Sequence, residues 1–96
     1  MSEIEKLLEE GQKSLNLDNP KEALSIYQKI LDEKPSHLEA LLKKGNILGR
    51  FGRFDEAIIT YQKILLQEKE NLLALLNKGL CHHNIGQYDV AIECFD

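Results

Sequence analysis

The chain has 96 residues and a mass of 11.0 kDa, room for one compact unit or a short stack of small ones. Hydrophobic residues make up 43% and charged residues 29%, the balance of a folded chain rather than a disordered one. Twelve Lys plus Arg against sixteen Asp plus Glu leave −4, the wrong sign for a broad nucleic-acid surface. No apolar run approaches the ~20 residues that cross a bilayer, and the charged start Met1-Ser2-Glu3-Ile4-Glu5-Lys6 lacks the apolar core of a secretory signal. Two cysteines, Cys81 and Cys94, make no disulfide framework and suit a reducing compartment. A cytoplasmic chain without a membrane anchor is expected.

Seventeen Leu and nine Ile stand against one Val and one Thr, a composition that favours helices over strands. Apolar residues recur at helical spacing, first Ile4, Leu7 and Leu8, then Ala23, Leu24, Tyr27, Ile30 and Leu31. Between these two helices, Asn19 can cap, Pro20 suits the first helical position, and Glu22 completes a capping-box-like pair. A third helix is predicted over roughly Leu38 to Arg50, ending at Phe51-Gly52-Arg53, where Gly52 can take the left-handed conformation. A fourth begins near Phe54 or Asp55 and reaches about Lys69. The last segment is expected to copy this plan, with a turn at Gly86 and a return helix from Tyr88.

The elements repeat. Gly11, Gly45 and Gly79 are 34 residues apart, and Ala23, Ala57 and Ala91 keep the same step, as do Tyr27, Tyr61 and Phe95. The segment Tyr27-Gln28-Lys29-Ile30-Leu31 returns unchanged as Tyr61-Gln62-Lys63-Ile64-Leu65. The frames run 4–37, 38–71 and a shorter 72–96, and together they are expected to form a single domain over residues 1–96. Glycine inside a helix costs ~1 kcal/mol relative to Ala, so three glycines at one repeat position point to a packing requirement. The predicted fold is all-α, a solenoid of stacked helical hairpins.

This pattern resembles the tetratricopeptide repeat family, over essentially the whole chain. The family's large apolar residue falls on Leu7, Leu41 and Leu75, and its glycine, alanine and aromatic positions fall on the residues above. Its proline is present only as Pro35, Lys69 standing at that place in the second frame. Two positions that usually hold Leu and Tyr carry instead Glu10, Lys44 and Lys78, and Ser14, Leu48 and His82. The resemblance implies a right-handed solenoid whose first helices line a concave, peptide-binding groove.

Carried over residue by residue, the groove would be lined by Glu5, Leu8, Glu9, Gln12, Leu15 and Asn16 from the first frame. The second would give Glu39, Leu42, Lys43, Asn46, Gly49 and Arg50, and the third Leu73, Leu76, Asn77, Leu80, His83 and Asn84. Leu8, Leu42 and Leu76 would form an apolar stripe flanked by amides, suited to an extended or helical peptide. Leucine at helical spacing also serves packing between hairpins; Leu42 is nevertheless expected to be open, because Leu41 supplies the packing residue of that turn. Family members that grip an acidic C-terminal tail need Lys, Asn, Asn, Lys and Arg, in that order, where this chain has Leu8, Gln12, Lys43, Leu73 and Asn77. None carries the required residue, so an acidic-tail ligand is not expected.

Lys43, Lys44, Arg50 and Arg53 form a basic patch, either a solvated face or a dock for one acidic or phosphorylated group. Cys81-His82-His83 with Cys94 invites a zinc reading, but adjacent helical residues point about 100° apart, and the converging pair that zinc wants is missing. Cys81 is expected to be a buried, unreactive thiol and Cys94 a more exposed one. Ser36-His37 lies in the turn between frames without a triad, and no phosphate-binding loop is present. No cofactor, metal or catalysis is expected.

The third frame closes at Asp96 without a polar capping helix, so Leu75, Ile85, Ala91, Ile92 and Phe95 would be partly open. The expected function is a non-enzymatic protein-interaction module. The alternatives are a self-associating scaffold fragment of a longer array and the targeting arm of a larger enzyme.

Overall fold

The computed structural model describes residues 2–95, with side chains described through Gln87. Five helices follow in order: α1 (Glu3–Asn16), α2 (Pro20–Glu33), α3 (Leu38–Arg50), α4 (Phe54–Gln67) and α5 (Leu72–Phe95). The described chain is all-α. Each helix packs on the next, and α3 also touches α5, so the molecule is an elongated stack of 53 × 31 × 19 Å.

Local chemistry sets the helix ends. The Ser2 hydroxyl accepts from the Glu5 backbone N–H at 3.1 Å, Asn19 Oδ1 from Glu22 N–H at 3.4 Å, and Asn71 Oδ1 from Ala74 N–H at 3.0 Å. Each satisfies a donor that the first helical turn leaves unpaired. His37 does the same for α3, its Nδ1 accepting from Ala40 N–H at 3.2 Å, which gives this turn histidine a structural role. The expected partnership of Asn19 and Glu22 forms, with Asn19 Nδ2 donating to Glu22 Oε2 at 2.9 Å.

The two hairpin turns share one backbone device. Gly52 has φ +76° and Asp18, 34 residues earlier, has φ +56°. Aspartate is among the few side chains that tolerate this left-handed region, so the first turn makes the same reversal without a glycine.

The third frame departs from expectation. Helix α5 runs without interruption through Gly86 to Phe95, so no turn forms at Gly86 and no separate helix starts at Tyr88. Glycine permits a left-handed turn but does not impose one. Continuing the helix keeps ladder hydrogen bonds that a turn would open, and only the packing of a returning helix could offset that loss. Ala91, Ile92 and Phe95, expected to be partly open, lie outside the described side chains.

The core runs along the hairpin seams, through Leu7, Ala23, Tyr27 and Ile30, then Leu41, Leu48, Ala57, Tyr61 and Ile64, and on to Ala74 and Cys81. A Cβ added to Gly11 would lie 2.8 Å from Tyr27 Cζ, and one on Gly45 would lie 2.6 Å from Tyr61 Cε1. Those glycines are therefore sockets for tyrosine rings. A Cβ on Gly79 would meet nothing within 4 Å, and Leu75 is 47% exposed where Leu41 is 2%.

One repeat position therefore has opposite sensitivities. Gly45→Ala is expected to lower stability by ~1–2 kcal/mol, overpacking against the ring exceeding the gain in helix propensity. Gly79→Ala is expected to raise it by ~0.5–1 kcal/mol. Urea unfolding followed by circular dichroism measures both, and loss of the sign difference would remove the socket account.

Candidate peptide-binding groove

Three side-chain bonds join successive hairpins across 31 or 32 residues, two or three short of the repeat. Asn77 Nδ2 donates to Asn46 Oδ1 at 3.2 Å, and Gln67 Nε2 donates to the Ser36 carbonyl at 2.9 Å, each 31 residues apart. Arg50 Nη2 reaches Asp18 Oδ1 at 3.2 Å, 32 residues apart.

Asn46 is the centre of this arrangement. The Tyr61 hydroxyl donates to its Oδ1 at 2.6 Å, and the Asn77 amide shares the same acceptor. One predicted groove amide is thereby fixed from below by the core and from the side by the next helix, while its own NH2 is used by neither contact. Sequence reasoning missed the tyrosine link; the recurrence of Tyr61 sixteen residues after Gly45 was its only trace.

The first hairpin lacks the equivalent contact. Gln12, at the position of Asn46, donates through Nε2 to Asn16 Oδ1 at 3.0 Å. Among the described residues the Tyr27 hydroxyl is buried without a hydrogen-bond partner. Burial, then the nearby Glu39 carboxylate, raise the Tyr27 pKa above its usual value. Burial and the adjacent Cys81 thiol push Tyr61 up to about 12.

The apolar stripe is uneven. Leu8 and Leu42 are half-buried against the core, so Leu42 is less open than expected. Its side chain packs against the core cluster that runs along the hairpin seams. The exposed leucines gather on α5 instead, with Leu73 at 56%, Leu76 at 61% and Leu80 at 50%. Asn77 and Asn84 lie half-buried among them, and Lys43 is half-buried on α3.

The basic patch is divided. Arg50 pairs with Asp18, and Arg53 makes two bonds to Glu56, at 2.6 and 3.2 Å. Lys44 Nζ turns to α2 and donates to Gln28 Oε1 at 2.8 Å. Cys81 is buried, and burial raises its thiol pKa, whereas His82 and His83 are exposed. Among the described residues no three His, Cys, Asp or Glu side chains gather as a metal site. Cys94 lies outside the described side chains. No described helix is long and apolar enough to cross a membrane.

Comparison with known families agrees with this architecture. A tetratricopeptide repeat profile matches residues 7–78, and a second tetratricopeptide repeat profile matches residues 72–96. The chain belongs to the tetratricopeptide repeat family. A comparison with characterised proteins finds no match. Tetratricopeptide repeats generally mediate protein–protein interaction, and the interlocked Asn46 and Asn77 show how this member holds polar groups rigidly on a helical stack.

The two tyrosines should respond oppositely to loss of the hydroxyl. Tyr61→Phe removes a satisfied bond and is expected to cost ~1 kcal/mol, while Tyr27→Phe removes an unpartnered hydroxyl and is expected to be neutral or stabilising. Because the folded pKa of Tyr61 is about 12 against 10.0 for the free side chain, its contribution is full below pH 10 and is lost as pH rises through 12. Thermal melts between pH 9 and pH 12 should show that decline, shallower in Tyr61→Phe; an equal slope in both would contradict it.

Proposed function

We propose that this chain is a non-enzymatic interaction module that takes a peptide segment along the face formed by α1, α3 and α5. The observation that carries this reading is the cluster of exposed leucines on α5, Leu73, Leu76 and Leu80, beside the fixed Asn46–Asn77 pair. Apolar side chains of a partner would cover the leucines, and its backbone would meet amides whose orientation is already set. Burying two leucines gives ~1.5–3 kcal/mol each, a part of the about −8 kcal/mol that micromolar affinity requires. Lys43 is the groove cation, Arg50 being engaged by Asp18. The residues that would clamp an acidic tail are absent, and the ligand is proposed to be apolar rather than acidic at its anchor points. The frames 4–37, 38–71 and 72–96 are proposed to act as one domain.

Peptides selected from a random display library against the wild-type protein test this reading. Leu76→Glu is expected to weaken their binding by at least ~10-fold, and Leu66→Glu, at an 85% exposed site on α4, to leave it unchanged. Leu76 serves better than Leu42, whose half-buried side chain also supports the core. Equal loss from both substitutions, or from neither, would move the binding surface elsewhere.

A second reading, self-association, is favoured by the open α5 face around Leu75 and Gly79. Light scattering across a dilution series should then show concentration-dependent mass, abolished by Leu75→Glu. Constant monomer mass would remove this reading without touching the first.

A further inference from the structure

The basic patch has a second half that the groove does not use. Lys44 and Lys63 border a cleft of about 160 Å³ between α3 and α4, walled by Leu48, Ile59 and Thr60. The acid in this cleft, Glu56, is held by two bonds to Arg53. Asp32, the other acid acting on Lys44, accepts at 3.0 Å from the Nε2 of Gln28. The Oε1 of that same Gln28 holds Lys44 Nζ at 2.8 Å. One ammonium proton is thus committed to a neutral amide, leaving two for another acceptor. The Thr60 hydroxyl donates to the Glu56 carbonyl at 2.8 Å, so this wall offers its methyl group rather than a free donor.

The electrostatics agree with the geometry. Burial, then the Lys63 ammonium, hold the Lys44 pKa below the ordinary lysine value, with Arg53 adding to the effect and Glu56 and Asp32 opposing it. Two like charges beside an apolar wall attract an anion more strongly than either does alone on open surface, since part of the water that would screen them is excluded.

We propose that this cleft binds a carboxylate or phosphate carried on a small apolar body, the anion lying between Lys44 and Lys63 and the body against the exposed Ile59. The site is on α3 and α4, apart from the leucines of α5, so it stands or falls independently of the groove. An acidic side chain of a protein partner and a free small-molecule anion would supply the same chemistry.

The test is a titration of the intact protein with sodium butyrate, inorganic phosphate and a blocked tripeptide with a central glutamate. Binding is followed by NMR of ¹³C-methylated lysines. Saturable shifts of the Lys44 and Lys63 signals are expected at millimolar concentration, with the Lys44 titration midpoint moving upward on binding. Lys44→Met and Lys63→Met should each weaken binding about tenfold, and Lys6→Met on α1 should not. Thermal melts establish that each variant is folded, and Lys63, being exposed, carries the test if Lys44→Met is destabilised. Tighter binding of the tripeptide than of butyrate supports the site and assigns it to a partner's side chain; the reverse supports it and assigns it to a free anion. Non-saturating shifts with all three probes, or wild-type affinity in both lysine variants, would overturn the proposal.

Discussion

The close seating of a tyrosine ring on a helical glycine organises this molecule. At Gly11 and Gly45 the facing helix approaches so near that even a methyl group would strike the ring of Tyr27 or Tyr61. This approach sets the separation within each hairpin, lets Ala23 and Ala57 sit fully buried nearby, and aims the phenol along the seam toward the next layer. Helix propensity argues against glycine at these places by ~1 kcal/mol; the aromatic contact area buried in exchange is much larger.

In the second hairpin the same ring reaches surface chemistry. Its hydroxyl holds the Asn46 carbonyl, and Asn46 receives the Asn77 amide of the following layer. A buried packing contact thereby fixes the orientation of two polar groups on the face proposed to meet a partner, reducing the ordering that binding would require. The first hairpin has the ring without the link. Glutamine at position 12 has one more methylene than asparagine and turns along its own helix to Asn16.

Much of the architecture was legible because it is local and repeated. The bounds of α3, the reversal at Gly52, and the Asn19-Pro20 start of α2 each follow from residues within a few positions of one another. Asp18 was harder to foresee, since its left-handed conformation shows only when it is aligned with Gly52. Gly86 misled because a glycine signals permission rather than outcome, and the deciding quantity is how much surface a returning helix buries. On the candidate site, residue types were readable and their partners were not. Lys44 and Lys43 are adjacent in sequence, yet the structure turns the amine of Lys44 to Gln28 on α2. The exposure of Leu42 depends on how neighbouring helices overlap, which the repeat period alone does not contain.

Three of the side-chain bonds between layers span 31 or 32 residues while the sequence repeats every 34, an offset of two to three residues, ~3–4.5 Å, per layer. Equivalent residues of successive repeats therefore do not lie level with one another; they climb like the treads of a spiral stair. A straight ligand laid along the molecular axis would meet a different repeat position at each layer, Asn46 beside Asn77 and not beside Leu80. A ligand able to contact the same position in every repeat would have to run obliquely, with a pitch matched to that slip.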